Sequence, residues 1–242
     1  MKQVIAMHGW SGDGRTWGPW ERHFNRHGWS WQSGERGYST LPPHTPNWLT
    51  PPHPPGNGAE QRRVVVAHSL GPHLLAAPLL AEATDVVLLA SFSRFVPEGR
   101  AGRALRTGLI GMERCIGTAS ETSMLQTFLQ RAVTPCQPSA LPPGPVTDGL
   151  SAAGRQRLRA DLHQLMATTG LPPGLPGQAR VLVVNAEADA IVVAEARQQL
   201  QRDLLSHLEQ PAETWVLQGC GHALLVPELL QHVRQWLDRE DE

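Results

Sequence analysis

Residues 63–71 read RVVVAHSLG, an apolar run that ends abruptly in two polar residues followed by Leu70 and a glycine. The β-branched part, residues 63–67, is typical of a strand that is buried on both faces of a parallel sheet. The next segment, PHLLAAPLLAEA, predicts a helix over residues 72–83 that Pro78 kinks or shortens. A strand that turns directly into a helix is the repeating unit of an α/β protein.

Other apolar runs predict strands of the same kind, and helical segments lie between them. The predicted strands are residues 3–7, 29–32, 85–90, 180–185 and 214–218, and the predicted helices include residues 17–24, 193–208 and 224–237. This alternation predicts an α/β fold with a mostly parallel sheet of about six strands and helices on both faces.

Residues 92–167 interrupt the alternation with apolar residues at helical spacing. These are Met124, Leu125, Phe128, Leu129 and Val133 in one segment, and Leu158, Leu162 and Leu165 in another. We predict a core formed by residues 1–91 and 168–242, with residues 92–167 inserted as a helical cap at the carboxyl ends of the strands. The proline-rich residues 41–58 predict an extended surface loop.

Composition excludes several classes of protein. A net charge of −1 argues against a nucleic-acid binder, and no apolar run approaches the roughly 20 residues of a membrane span. The opening MKQVIAMHGW reaches His8 too early for a signal-peptide core, and three scattered cysteines suit neither a disulfide framework nor a zinc site. We expect a cytoplasmic protein without metal or cofactor, and a monomer is favoured.

Ser69 is the candidate nucleophile. It lies between the predicted strand and helix in the pentapeptide AHSLG, with the small residues Ala67 and Gly71 two positions away on either side. A tight strand-to-helix turn that exposes a serine hydroxyl needs small neighbours there. The alternative is that Ser69 only caps the following helix.

Two later loops supply a candidate base and a candidate acid. His222 follows the last predicted strand in GCGH, and Asp189 follows the preceding one, with Glu187 as a rival for the acid role. Either carboxylate could instead cap a helix, and His222 could be a loop histidine without a role. Nevertheless, the chain order serine, acid, histidine is the order of α/β-hydrolases.

The tripeptide His8-Gly9-Trp10 directly follows the first predicted strand. A loop at this place can aim backbone N–H groups at a developing oxyanion, and we assign the donors to Trp10 and Leu70. The Trp10 ring is then free to shape an acyl pocket. The simpler interpretation is a glycine turn with a packing tryptophan.

Over nearly its whole length the chain resembles α/β-hydrolases, in HGW, RGYS (residues 36–39), AHSLG, LASFSRF (residues 89–95), NAEADAIV and GCGHA. The resemblance implies that the two first strands of that family are missing, which leaves six. Within the superfamily, HGW, HSLG, LAS-x-x-x-F and the Phe128-Leu129 pair in the cap resemble pimeloyl-acyl-carrier-protein methyl ester esterases of biotin synthesis. This resemblance implies a serine carboxylesterase with the triad Ser69, Asp189 and His222, and a substrate pocket that includes Trp10 and Phe128.

Three alternative functions remain open. One is a general small-ester carboxylesterase, and another is a lyase of the same fold, since MHGWSGD also resembles the menaquinone-pathway lyase. The third is a non-catalytic binding module. The intact set of Ser69, Asp189 and His222 disfavours a module.

Charge is unevenly distributed between the two parts. Residues 92–167 hold nine arginines and five acidic residues, a net charge of +4, whereas the remainder has a net charge of −5. A basic cap suits a small acyl ester that is presented on an acidic acyl carrier protein, and we predict that Arg103, Arg106, Arg155 and Arg159 contact the carrier. The alternative is that these arginines only solvate exposed helix faces.

Overall fold

A computed structural model of the chain describes residues 1–50 and 61–239. Its centre is one sheet of six parallel strands in the order β2-β1-β3-β4-β5-β6. The strands are β1 (Lys2–Met7), β2 (Ser30–Gly34), β3 (Arg62–His68), β4 (Asp85–Leu89), β5 (Arg180–Ala186) and β6 (Glu213–Leu217). The predicted parallel sheet is therefore confirmed, with strand ends within one or two residues of the predicted ones.

Helices cover both faces of this sheet, and others lie in the segment between β4 and β5. They are α1 (Gly18–Arg26), α2 (Gly71–Leu74), α3 (Ala77–Leu80), α4 (Gly99–Cys115), α5 (Glu121–Val133), α6 (Pro145–Asp148), α7 (Ala152–Ala167), α8 (Ala194–His207) and α9 (Leu229–Leu237). On one face, Val64 of β3 belongs to a buried cluster that includes Phe24 of α1 and Val233 of α9. On the other, Val65 belongs to a cluster that includes Leu80 of α3 and Leu200 of α8. The alternate residues of β3 are thus buried on opposite faces, which explains its continuous apolar sequence.

The helix predicted over residues 72–83, which Pro78 was expected to kink or shorten, is divided into two short helices. The chain forms α2 and α3 instead, because Leu75 and Ala76 between them are extended, with ψ angles of 149° and 134°. A proline inside a longer helix would remove a hydrogen bond and clash with the carbonyl four residues earlier. The break places Pro78 in the first turn of α3, where a missing N–H costs nothing.

The last helix starts later than predicted, at Leu229 rather than at residue 224. Leu224 has a φ of +49°, which an α-helix cannot include, and Pro227 follows. Residues 224–226 are therefore irregular, and a turn at residues 227–228 leads into α9.

Residues 92–167 contain α4, α5, α6 and α7, between β4 and β5. Helix α7 is tied to the loop after β2, where Arg36 donates two hydrogen bonds to the Asp161 carboxylate at 2.7 and 2.6 Å. The Tyr38 hydroxyl donates a third at 2.5 Å, since burial and the Asp161 charge raise the pKa of Tyr38 well above its usual value. Asp161 is 1% exposed, so this cluster is an internal connection between α7 and the core.

We expect Asp161→Asn to destabilise the protein, because it leaves the half-buried Arg36 without its counter-charge. Removing one partner of a buried ion pair costs about 3–5 kcal/mol, and we expect the lower end because the Arg36 side chain is 30% exposed. The free energy of unfolding from urea titrations measures the effect. Asp148→Asn is the matched control, since Asp148 forms a surface pair with Arg15. Equal losses in both variants would contradict the proposed contribution of Asp161.

The described part of the proline-rich segment, residues 41–50, runs beside β2, the outer strand of the sheet. His44 exchanges two backbone hydrogen bonds of 2.9 Å with Glu35, and Gln32 donates a side-chain hydrogen bond to the Asn47 carbonyl at 2.7 Å. This segment contains neither a helix nor a ladder strand, in keeping with its prolines. Residues 51–58 of the predicted loop lie outside the described residues.

Among the described residues, no helix combines the length and apolar character that a membrane span requires.

Candidate functional site

Ser69 lies in the turn between β3 and α2, at the carboxyl edge of the sheet. Its φ of +56° is in the left-handed region, which residues other than glycine rarely adopt. The turn is anchored twice, because the Ser69 amide donates to the Leu89 carbonyl and the Ser91 hydroxyl donates to the Ser69 carbonyl, both at 2.8 Å. Its surroundings thus hold Ser69 in a strained and well-defined position.

Two glycines allow the end of β1 to approach this turn. A Cβ atom at Gly71 would lie 2.4 Å from the Met7 carbonyl oxygen, and one at Gly9 would lie 2.9 Å from the Cβ of Ser69. Both distances are shorter than van der Waals contact, so neither position accepts a side chain without movement of the backbone. The loop after β1 and the turn at Ser69 are therefore direct neighbours.

Backbone strain is concentrated at this edge of the sheet. Within residues 1–50 and 61–239, four residues other than glycine have a positive φ, namely Ser11, Ser69, Ala90 and Leu224. They follow the carboxyl ends of β1, β3, β4 and β6. Each such residue costs about 1–3 kcal/mol and persists where its surroundings impose it, most often at functional sites. The strained residues therefore lie at the same edge of the sheet as the candidate catalytic residues.

His222 and Asp189 are hydrogen-bonded to each other. The Nδ1 atom of His222 lies 2.9 Å from Oδ2 of Asp189, and both side chains are almost fully buried. The other oxygen of Asp189 accepts hydrogen bonds from the amides of Ile191 and Val192 at 2.8 and 2.9 Å. Burial alone would raise the pKa of Asp189, but His222 and the two amides outweigh it, so this pKa lies below its usual value. Asp189 is therefore an anion that fixes the His222 ring.

Glu187, the rival for the acid role, is exposed and turned to other partners. Its Oε2 accepts a hydrogen bond from the Gly219 amide at 2.9 Å, and it makes no contact with His222. Glu187 thus supports the backbone at the start of the loop that carries His222.

Ser69 and His222 are not hydrogen-bonded to each other in this structure, although both are buried, with exposures of 5% and 3%. Bonds of this type are often long in unliganded enzymes and tighten when substrate binds. With Nδ1 held by Asp189, Nε2 of His222 remains as the basic nitrogen. A strained serine beside such a pair can be activated as a nucleophile.

His68 connects the two loops, and the sequence analysis did not single it out. Its Nε2 donates to the His222 carbonyl at 2.9 Å, and the two rings lie 4.8 Å apart. Burial, and then the neighbouring His222, lowers the pKa of His68 to about 3, so its ring is neutral near pH 7. The only hint in the sequence was its place directly before Ser69.

The two candidate oxyanion donors are free. Neither the Trp10 amide nor the Leu70 amide has a hydrogen-bond partner among the described residues. Trp10 follows β1 and Leu70 precedes α2, so both belong to the loops that Gly9 and Gly71 bring together. Two unpartnered N–H groups beside a serine can bind a negative oxygen.

The indole of Trp10 contacts two of the helices that lie between β4 and β5. Its Nε1 donates to the Leu158 carbonyl of α7 at 2.8 Å, and its ring meets the Phe128 ring edge-on with centroids 5.0 Å apart. Trp10 and Phe128, the two predicted pocket residues, are thus in direct contact, and they connect the loop after β1 to α5 and α7.

His8 and Glu35 interact beside the loop after β1, and no local sequence pattern predicted this contact. Nε2 of His8 accepts the Arg36 amide at 3.2 Å and lies 3.6 Å from the Glu35 carboxylate. Glu35 in turn accepts the amides of Gly14 and Gly37, both at 2.7 Å. Burial would raise the pKa of Glu35, but His8 and these amides lower it below its usual value.

The four arginines assigned to a carrier protein differ in their surroundings. Arg155 forms two hydrogen bonds with Glu121 at 2.7 and 2.8 Å, and Arg159 donates to the Ile116 carbonyl at 2.9 Å, so both connect α7 to the segment between α4 and α5 and to the start of α5. Arg103 and Arg106 are exposed on α4, and neither forms an ion pair within the described residues. Arg106 also donates to the Met166 carbonyl of α7 at 3.3 Å, so of the four only the Arg103 side chain is without a hydrogen-bond partner among the described residues.

Within the described residues, no three histidine, cysteine, aspartate or glutamate side chains are arranged to hold a metal ion. The three cysteines are free thiols, and burial raises the pKa of Cys220, which makes it a poor nucleophile.

No model of a known protein family matches the chain, and no curated protein matches it. Solved structures are similar to it over almost its whole length. An esterase from Exiguobacterium antarcticum has a TM-score of 0.69 at 13% identity and covers 99% of this chain and 92% of its own.

Two further structures are similar to the same extent. A bromoperoxidase from Bacillus anthracis has a TM-score of 0.71 at 15% identity, and an enol-lactonase from Burkholderia xenovorans has one of 0.68 at 14% identity. Each covers 98% of this chain and 92% of its own. At such low identity, these likenesses demonstrate a shared fold.

Proposed function

We propose that this chain, which has the α/β-hydrolase fold, is a serine carboxylesterase. The observation that carries the proposal is the hydrogen-bonded pair of His222 and Asp189 at the sheet edge where Ser69 is held in a strained turn. The free amides of Trp10 and Leu70 supply the remaining element, a site for a negative oxygen. An esterase and an enol-lactonase among the structural neighbours are in keeping with ester chemistry.

In the proposed reaction, the Ser69 hydroxyl oxygen adds to the ester carbonyl and its proton passes to Nε2 of His222. The amides of Trp10 and Leu70 bind the oxyanion, and Asp189 stabilises the imidazolium. The intermediate collapses, His222 returns the proton to the leaving alcohol, and an acyl group remains on Ser69. Water, deprotonated by His222, then releases the acid and restores the serine.

Turnover of simple esters tests this proposal. Purified protein is incubated with p-nitrophenyl butyrate and with methyl butyrate, and release of alcohol and acid is followed. The proposal expects hydrolysis of both at rates that increase with enzyme concentration. A lyase that uses the same residues for proton abstraction, or a non-catalytic binding module, would leave both esters intact, and that result would contradict the proposal.

We further propose that the substrate is an acyl methyl ester on an acyl carrier protein, such as pimeloyl-acyl-carrier-protein methyl ester in biotin synthesis, in the cytoplasm. The sequence resemblance supports this choice, as does the exposed row of Arg100, Arg103, Arg106 and Arg114 on α4, which forms no ion pair among the described residues. An acidic carrier would be attracted to that row. The free thiols suit a reducing compartment.

Charge reversal on α4 tests the carrier proposal. We expect Arg103→Glu with Arg106→Glu to raise KM for an acyl-carrier substrate and to flatten its salt dependence, because rim charges act mainly on association. Hydrolysis of p-nitrophenyl butyrate should remain unchanged, since this small neutral ester does not need the α4 surface.

The matched control is Arg22→Glu with Arg26→Glu on α1, two exposed arginines that give the same change in net charge on a helix packed against β2 and α9. The control should leave the KM for the acyl-carrier substrate close to that of the wild type. Equal KM values at low salt for the wild type and the α4 variant would show that Arg103 and Arg106 are only solvated surface residues, and would contradict the carrier proposal.

A further inference from the structure

We infer that His68 is a positioning residue that fixes the loop of His222 relative to Ser69 and Gly9. The inference rests on the proposed function and adds a residue to it. His68 directly precedes the proposed nucleophile in the sequence, yet its side chain hydrogen-bonds His222, which lies 154 positions later in the chain.

The contacts of His68 identify what it positions. Its Nε2–H bonds the main-chain carbonyl of His222, the residue proposed as the base, and its ring lies beside the His222 ring with centroids 4.8 Å apart. On its other side, a Cβ atom built on Gly9 would lie 3.3 Å from Nδ1 of His68. The imidazole therefore fills the space between the base loop and the loop of the oxyanion donors.

The groups around His68 keep its ring in a single protonation state. His222, Asp189 and His8 all act on the His68 ring, and burial is the largest influence. The ring stays neutral over the pH range of an esterase assay, so one nitrogen is a donor and the other an acceptor. Because Nε2 donates to a carbonyl, the proton resides there and Nδ1 faces Gly9.

Other hydrogen bonds hold the His222 loop, but none of those within the described residues uses the His222 carbonyl. The Gly219 amide donates to Glu187, the Ala188 amide to the Cys220 carbonyl, the Ala223 amide to the Ala132 carbonyl at the end of α5, and the His222 ring bonds Asp189. Without the His68 bond, the His222 carbonyl would lose its partner and the imidazole could shift. A displacement of about 1 Å can lower a rate by roughly 100-fold.

The experiment compares four variants with p-nitrophenyl butyrate. We expect His68→Leu to lower kcat roughly 10- to 100-fold with KM within about twofold of the wild type. His68→Gln should recover most of the loss, since its amide nitrogen can stand where Nε2 stood. His68→Asn should not recover it, because its shorter side chain places the amide near the Nδ1 position. His73→Leu is the control, since His73 is also buried and bonds a carbonyl, that of Phe92, away from His222.

Several outcomes decide the question. Equal kcat values for His68→Gln and His68→Asn would overturn the inference, even if His68→Leu failed to fold. A kcat for folded His68→Leu within twofold of the wild type would also overturn it, as would an equal loss in His73→Leu. If the wild type shows no Ser69-dependent hydrolysis, the proposed function itself fails. If the wild type is active and the His68 substitutions do not change kcat, only the positioning role is excluded.

Discussion

Replacing Ser69 by alanine is expected to lower kcat for p-nitrophenyl butyrate by about 10⁴- to 10⁶-fold, the cost of removing a nucleophile of this kind. The Ser69 hydroxyl is the only protein group in the proposed mechanism that forms a bond to the acyl carbon. Alanine can occupy the same left-handed turn at no greater strain, and the Ser69 amide and carbonyl keep their bonds to Leu89 and Ser91. Initial rates measure the effect, and the melting temperature reports the fold.

Ser93→Ala is the matched control for this prediction. Ser93 is fully buried and bonds Asp203 at 2.5 Å, away from His222, so its loss should affect stability more than kcat. A Ser69→Ala protein that retains more than about 1% of wild-type activity would remove Ser69 from the nucleophile role.

Asp189→Asn is expected to lower kcat by roughly 10⁴-fold. Asparagine is close in shape, but its amide can donate to Nδ1 of His222 and favour the tautomer whose Nε2 carries the proton. Nε2 then cannot accept the proton of Ser69. Substrate binding should change little, because Asp189 is buried behind the ring. Steady-state kinetics at pH 7–8 separate the two effects.

Glu187→Gln provides the comparison within the same loop. Glu187 bonds the Gly219 amide and does not contact His222, so we expect a kcat within about threefold of the wild type, a cost like that of one surface hydrogen bond. A larger loss of kcat in Glu187→Gln than in Asp189→Asn would assign the acid role to Glu187 instead.

The sheet was predictable because most of its strands are short apolar runs with polar ends, as is typical of strands that are buried on both faces. The outer strands β2 and β6 are less buried and carry this pattern only in part. Helix limits were less predictable. The break at Leu75 and Ala76 and the late start of α9 depend on φ and ψ at single residues, which hydrophobic spacing does not encode. Proline at positions 78 and 227 marked both places without fixing where the helix would end or begin.

The candidate site was predictable to the extent that its parts are local motifs in a recognisable order. Ser69, Asp189 and His222 each follow a strand, so their place at one edge of the sheet followed from the parallel arrangement. Contacts between distant side chains were not predictable. The pairs His68 with His222, Arg36 with Asp161 and Trp10 with Leu158 each join residues more than 100 positions apart, and none belongs to a periodic pattern.

The central claim, that Ser69 takes the acyl group of an ester, is tested most directly by trapping that acyl group. The wild-type protein is incubated with p-nitrophenyl pivalate, whose branched acyl group slows the attack of water, and is quenched in acid for peptide mass spectrometry. We predict one pivaloyl group per chain, localised by fragmentation to Ser69, and none in Asp189→Asn on the same timescale. Release of p-nitrophenol with the acyl group on another residue, or with no acyl group on the protein at any time, would contradict the account.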